Sequence, residues 1–304
     1  MKLIIYPDVD LWNFVMADLY PRSDVRLFPL NRYCNFAQKV VRKVTPFTTL
    51  PAWTVLNKRL RKALRGLKPG DSVILCEYTD PILVSVISRT VPVGVSKYCW
   101  LWNQKGADND SFNPILRHLQ HHQFCCMTYN ESDAAIYPLR LWHQFFCIHR
   151  YHHIQDQSKP ILWDFFFIGY AKDREPEIQA MQNLLSAYSS HFTIVRSYSD
   201  YVPYAKYMEQ ASQSRCIVEV LRSGDTSCTL RPLEALSLHK KLISNNPNLR
   251  NYSFYHPQNI FIFGVDDVAR LPEFINSPFL ELPTDVVEEY DIARWIDNFS
   301  NPLS

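Results

Sequence analysis

A chain of 304 residues has room for two domains of ordinary size, each with its own buried core. A formal charge of +2, spread along the sequence, and 47% hydrophobic residues describe a soluble globular protein and argue against a dedicated nucleic-acid binder. The seven glycines form neither G-x-G-x-x-G nor G-x-x-x-x-G-K-[ST], which argues against the usual dinucleotide and nucleoside-triphosphate loops.

The opening residues carry no signal-peptide pattern, and no apolar stretch reaches the roughly 18 residues of a membrane span. A cytoplasmic location follows as the expectation. The eight cysteines are scattered through apolar segments and read as small buried thiols in a reducing compartment.

Taken in order, residues 2–6 read as a strand and 11–19 as a helix, followed by a short strand over 25–28. Segments 36–44 and 54–67 are amphipathic and basic on one side. A Pro-Gly-Asp turn leads into a strand over 72–77, then a helix over 81–89 and a strand over 93–100. Residues 111–122 are helical and 124–128 extended. Such alternation implies a parallel sheet with both faces covered, a doubly wound domain. Residues 140–160, rich in aromatics, His and Gln, break the rhythm and read as a crossover. Alternation restarts with strands over 161–169, 192–196, 216–220, 240–243 and 259–263. Helices are expected over 176–188, 203–212, 268–275 and 286–299.

The most informative stretch is 214–255. A strand ends near Val220, and a polar turn follows, with Gly224 and Asp225 as breakers. Thr229 then caps a helix that has Pro232 in its first turn. A helix start offers free amides and a positive dipole end to phosphate, and Arg231 can add a bidentate clamp. Glu234, one turn on, can accept hydrogen bonds from sugar hydroxyls. The same residues also suit a plain surface Arg–Glu pair.

Arg231, Glu234, Ala235 and Leu236, then 240–246 (Lys-Lys-Leu-Ile-Ser-Asn-Asn), 252–255 (Tyr-Ser-Phe-Tyr) and Asn259-Ile260 together resemble a run in bacterial glycosyltransferases. The likeness is narrowest to the CgeB-like group and relatives from capsule and lipopolysaccharide synthesis. It extends weakly to residues 98–103, 128–133 and 165–169. The resemblance implies an α/β, GT-B fold: two Rossmann-like, doubly wound domains facing a central cleft. It sets an acceptor-side domain over 1–155, a nucleotide-sugar domain over 156–285, and a last segment, 286–304, that can cross back to the first domain. The implied activity is transfer of a sugar from a nucleotide-diphosphate sugar to a growing cell-surface glycan, free or lipid-linked. No further cofactor is implied. An acceptor of that kind allows peripheral contact with the inner membrane.

The donor-side residues implied are Gly224, Asp225, Thr229, Arg231, Glu234, Lys241 and Asn246, with Trp102 and Asn103 on the acceptor side. Many retaining GT-B enzymes pair two glutamates; here the partner position of Glu234 is Thr226, with Asp225 beside it. Only the second glutamate's ribose role therefore carries over, and the stereochemistry stays open. The missing partner keeps two alternatives in play, a non-catalytic nucleotide- or sugar-binding protein and a GT-B-like nucleotide-sugar epimerase.

Asp8, Asp10, Glu77 and Asp80 follow predicted first-domain strands, where a carboxylate can deprotonate an acceptor hydroxyl. Each also suits a helix cap or turn. Trp100 and Trp102, at a strand end, either stack on a sugar or fill the core. His118, His121 and His122 lie near Cys125 and Cys126, but no second cluster completes a ligand set, so no metal site is expected.

Overall fold

The computed structural model describes residues 1–30, 43, 50–106, 109–152, 160–171, 173–222 and 225–300. It is an α/β chain that divides into two compact units, one of Met1–His143 with the chain from Trp295 onward, the other of Gln144–Arg294. Each unit holds one all-parallel sheet, of six strands in the first and five in the second.

In the first unit the strands are β1 (Lys2–Pro7), β2 (Val25–Leu30), β3 (Ser72–Cys76), β4 (Ser96–Leu101), β5 (Phe124–Thr128) and β6 (Arg140–Leu141). Their spatial order is β2-β1-β3-β4-β5-β6. β1 and β3 are buried along their whole length, as a strand covered on both faces must be. Alternate residues serve opposite faces. Leu3, Ile5, Val73, Leu75 and Cys99 share a core with Leu60 and Leu64 of the helix Lys58–Arg65. Tyr98 and Trp100 point the other way, onto Phe299 and Trp295.

The second unit holds β7 (Trp163–Tyr170), β8 (Ser190–Val195), β9 (Ser214–Glu219), β10 (Lys241–Ser244) and β11 (Ile260–Ile262). Their order is β11-β10-β9-β7-β8. Counted within each unit, both sheets run 2-1-3-4-5, the flavodoxin-like doubly wound order, with a sixth strand added to the first. Strand order reverses between β1 and β3 in one sheet and between β7 and β9 in the other. Ligands of such sheets bind outside the carboxyl ends at those switch points.

Several expectations need correction. Residues 140–160 are not a simple crossover. Arg140–Leu141 completes the first sheet, Phe145, Phe146, Cys147 and Ile148 are fully buried, and Ile148–His152 is helical. The chain therefore changes unit at His143, ahead of the expected 155, and leaves the second unit at Arg294. The helix expected over 286–299 is broken into Thr284–Glu288, Ile292–Asp297 and a short 3-10 turn. The break comes where Asp291 bridges to Phe146 and its carboxylate accepts the amides of His149 and Ala293. The amphipathic segment 36–44 lies outside the described residues apart from Lys43.

Candidate functional site

At the switch point of the second sheet, β7 ends in Ile168, Gly169 and Tyr170, and β9 ends in Val218 and Glu219. Two arginines converge there. Arg231, in the first turn of the helix Leu230–Ser237, donates Nη1 to the Val218 carbonyl at 2.9 Å and Nη2 to the Ile168 carbonyl. Arg174, just ahead of the helix Glu175–Leu184, donates Nε to the Tyr170 carbonyl at 2.9 Å and Nη1 to the Val220 carbonyl. The guanidinium carbons lie 4.9 Å (Arg231) and 5.8 Å (Arg174) from the Phe167 ring centre.

Gly169 leaves the space for this pair. A Cβ there would stand 2.9 Å from Arg174 Nη2 and 3.2 Å from Arg231 Nη2. Among the described residues neither arginine forms an ion pair with a carboxylate; their hydrogen bonds go to backbone carbonyls. Burial, then the charges of Arg231 and Arg222, pull the Arg174 guanidinium down to about 10. Arg174 still carries its charge at neutral pH, in a position where like charges crowd it. An anion would relieve that crowding and can take N–H donors the carbonyls leave over.

Two buried acids lie near this pair. Glu219 accepts hydrogen bonds from the Thr229 and Ser244 hydroxyls. Glu234 accepts them from Tyr204 and Tyr207. Burial pushes both carboxyls up, while those hydroxyls and the charge of Arg231 act in the opposite direction. The Tyr207 ring centre is 5.9 Å from the Arg231 guanidinium carbon.

The expected donor residues are therefore only partly gathered. Arg231, Thr229 and Glu234 share the site, but Glu234 is 3% exposed and engages two tyrosines rather than an open surface. Thr229 caps its helix by accepting the Arg231 amide at 3.3 Å, so one amide expected for phosphate is occupied. Asp225 binds the amide and hydroxyl of Ser227. Asn246 caps the turn Pro247–Asn251 and donates to the Ser227 carbonyl at 3.0 Å, tying two loops together. Lys241 stands apart. It opens β10 at the amino edge, where its buried ammonium donates to the Phe274 carbonyl and Ser277 hydroxyl. Gly224 lies outside the described residues. Arg174 escaped the sequence reading, since a loop arginine ahead of a helix has no pattern; the one available signal was Gly169 directly after the apolar run 165–168.

At the switch point of the first sheet, Glu77 has a left-handed backbone (φ 58°). Its carboxylate accepts the amides of Trp102 and Asn103 and the Lys105 ammonium, the last at 2.8 Å. It staples the loop after β4 to the end of β3. Trp102 is brought against Trp12, ring centres 4.3 Å apart. Trp100 is fully buried and fills the core. Asp80 caps the helix Pro81–Thr90 by accepting the Leu83 amide at 2.9 Å. Asp8 is exposed and accepts from Asn13 at 2.9 Å, and Asp10 is exposed in the first turn of Asp10–Met16.

His118 and His122 both place Nε2 on the buried Ser85 hydroxyl, at 2.9 and 3.0 Å. His118 Nε2 also lies 3.0 Å from the Pro81 carbonyl, so it carries the proton there. The Ser85 hydroxyl proton is then not spent on His118, and Ser85 can donate it to a neutral His122. No group of three His, Cys, Asp or Glu among the described residues is arranged to hold a metal. The seven cysteines among them are free thiols.

No family model matches the chain, and no curated protein matches it significantly.

Proposed function

We propose that the chain is a GT-B-type glycosyltransferase that moves a sugar from a nucleotide-diphosphate donor to a growing surface glycan. The observation that carries this reading is the Arg174–Arg231 pair at the β7/β9 switch point, held by carbonyls and without a carboxylate ion pair among the described residues. In glycosyl transfer from such a donor, negative charge develops on the leaving diphosphate. Two pre-placed guanidiniums would stabilise that charge with little reorganisation. The resemblance of 229–260 to capsule and lipopolysaccharide glycosyltransferases supports the same assignment. Glu234 is assigned to positioning, through Tyr207 beneath Arg231, in place of contact with the ribose. The solvent-exposed Asp8 and the Trp12–Trp102 pair are the acceptor-side groups this reading uses.

A second reading, a non-catalytic nucleotide-sugar binder, is favoured by one feature. Glu77 is already engaged as a loop staple and Asp80 as a helix cap. Incubation with a panel of nucleotide sugars separates the readings. Release of nucleoside diphosphate, faster with an acceptor glycan, supports transfer. Tight binding without release supports the binder, and no binding of any nucleotide sugar contradicts both.

A further inference from the structure

The helix Lys58–Arg65 buries Leu60, Ala63 and Leu64 and turns a wholly cationic face outward. Lys58, Arg59, Lys62, Arg65 and, just beyond, Lys68 are exposed. No Asp or Glu occurs anywhere in 51–70, and among the described residues none of these five forms an ion pair. A solvated helix face usually mixes both signs; this one does not.

The two most exposed large hydrophobic side chains among the described residues flank it. Trp53, 69% exposed, sits in the short helix Ala52–Val55 directly upstream. Val93, 96% exposed, sits in the loop before β4. That loop is fastened to the turn that follows the basic helix: Gly70 donates to the Gly94 carbonyl at 2.9 Å, and a Cβ on Gly94 would stand 3.0 Å from the Pro69 Cβ. An unmatched cationic face bordered by a projecting tryptophan and a bare aliphatic tip is therefore one feature of the first unit.

We infer that this face docks the protein on an anionic phospholipid bilayer. The five cations match the negative headgroup potential. Trp53 suits the interfacial zone where indole is favoured, and Val93 supplies apolar insertion. Stable peripheral binding takes two such signals together. A polynucleotide would use the cations but gain nothing from Val93. The inference does not depend on the glycosyltransferase reading.

The test is co-sedimentation of the full chain with vesicles of phosphatidylcholine, with and without phosphatidylglycerol. The parent protein binds the anionic vesicles, ignores the neutral ones, and dissociates as salt rises from about 0.1 to 0.5 M. Each basic residue near such a surface contributes about fivefold to partitioning, so the combined Lys58→Glu, Lys62→Glu, Arg65→Glu variant loses about a hundredfold or more. A second variant, Trp53→Ser with Val93→Ser, loses about tenfold while keeping the parent's salt dependence. All five positions are exposed, and unchanged melting curves confirm that the variants fold. Failure of the parent to bind anionic vesicles overturns the inference. So does a charge-reversed variant that binds like the parent, or a parent that binds duplex DNA or RNA while ignoring the vesicles.

Discussion

Gly169 and His122 show how much rests on single atoms. A methyl group on Gly169 would meet two guanidinium nitrogens and the Phe167 ring edge, 3.0 Å away. The arginine tips can move, so Gly169→Ala should fold, at a cost of about 1–3 kcal/mol from overpacking. Displacement of the pair should weaken nucleoside-diphosphate binding about tenfold, a loss worth about 1.4 kcal/mol. Binding equal to the parent's would show that the pair does not contact the ligand. His122 is held near 4 by burial, with His118, His121, Lys97 and Arg89 adding positive charge around it. A histidine whose folded value lies below its unfolded value, about 6.5, favours the fold fully above that unfolded value. Its contribution is lost as pH falls from about 6.5 towards the folded value. The urea midpoint of the parent should therefore drop more steeply through that window than that of His122→Asn. In the proton spectrum His122 should titrate near 4, and titration at 6.5 would refute the buried arrangement.

The strands were legible as elements because a parallel strand covered on both faces is a short apolar run, and 2–6, 72–77 and 165–169 are such runs. Helix starts were legible where a cap residue precedes proline, as at Asp80-Pro81. Partnership was not legible. Arg231 and Glu234, three apart on one helix, have the spacing of a surface pair, yet Glu234 turns inward to Tyr204 and Tyr207. Lys241 was grouped with the donor residues through the glycosyltransferase resemblance, but strand direction carries it to the opposite edge of the sheet. The aromatic stretch after 140 looked like a linker because its burial depends on residues near 291, far along the chain. Asp80→Ala separates cap from catalyst. It should cost about 1 kcal/mol of stability and leave nucleotide-sugar turnover within twofold of the parent's. Loss of turnover without loss of stability would restore Asp80 as a base.

At the scale of the whole molecule, the same strand order occurs twice, and each copy places polar side chains at its switch point. That order was not readable from the sequence, which shows alternation but not which strands lie side by side. The first unit also depends on residues far from it in sequence. Trp295 is 1% exposed and packs edge-on against Trp100, ring centres 5.4 Å apart. Trp295→Ala should cost about 3–5 kcal/mol and speed amide hydrogen exchange in β3 and β4 more than in β9. Equal acceleration in both sheets would contradict the assignment of Trp295 to the first unit.

The central claim is that Arg174 and Arg231 bind the diphosphate of a nucleotide. Calorimetric titration of the parent, Arg174→Ala and Arg231→Ala with a nucleoside diphosphate, and with the matching nucleoside, tests it most directly. Charge-assisted hydrogen bonds contribute roughly 1.5–3 kcal/mol each. Each variant should therefore bind the diphosphate about ten- to a hundredfold more weakly and the nucleoside as the parent does. Parent-like affinity for the diphosphate in both variants would contradict the account.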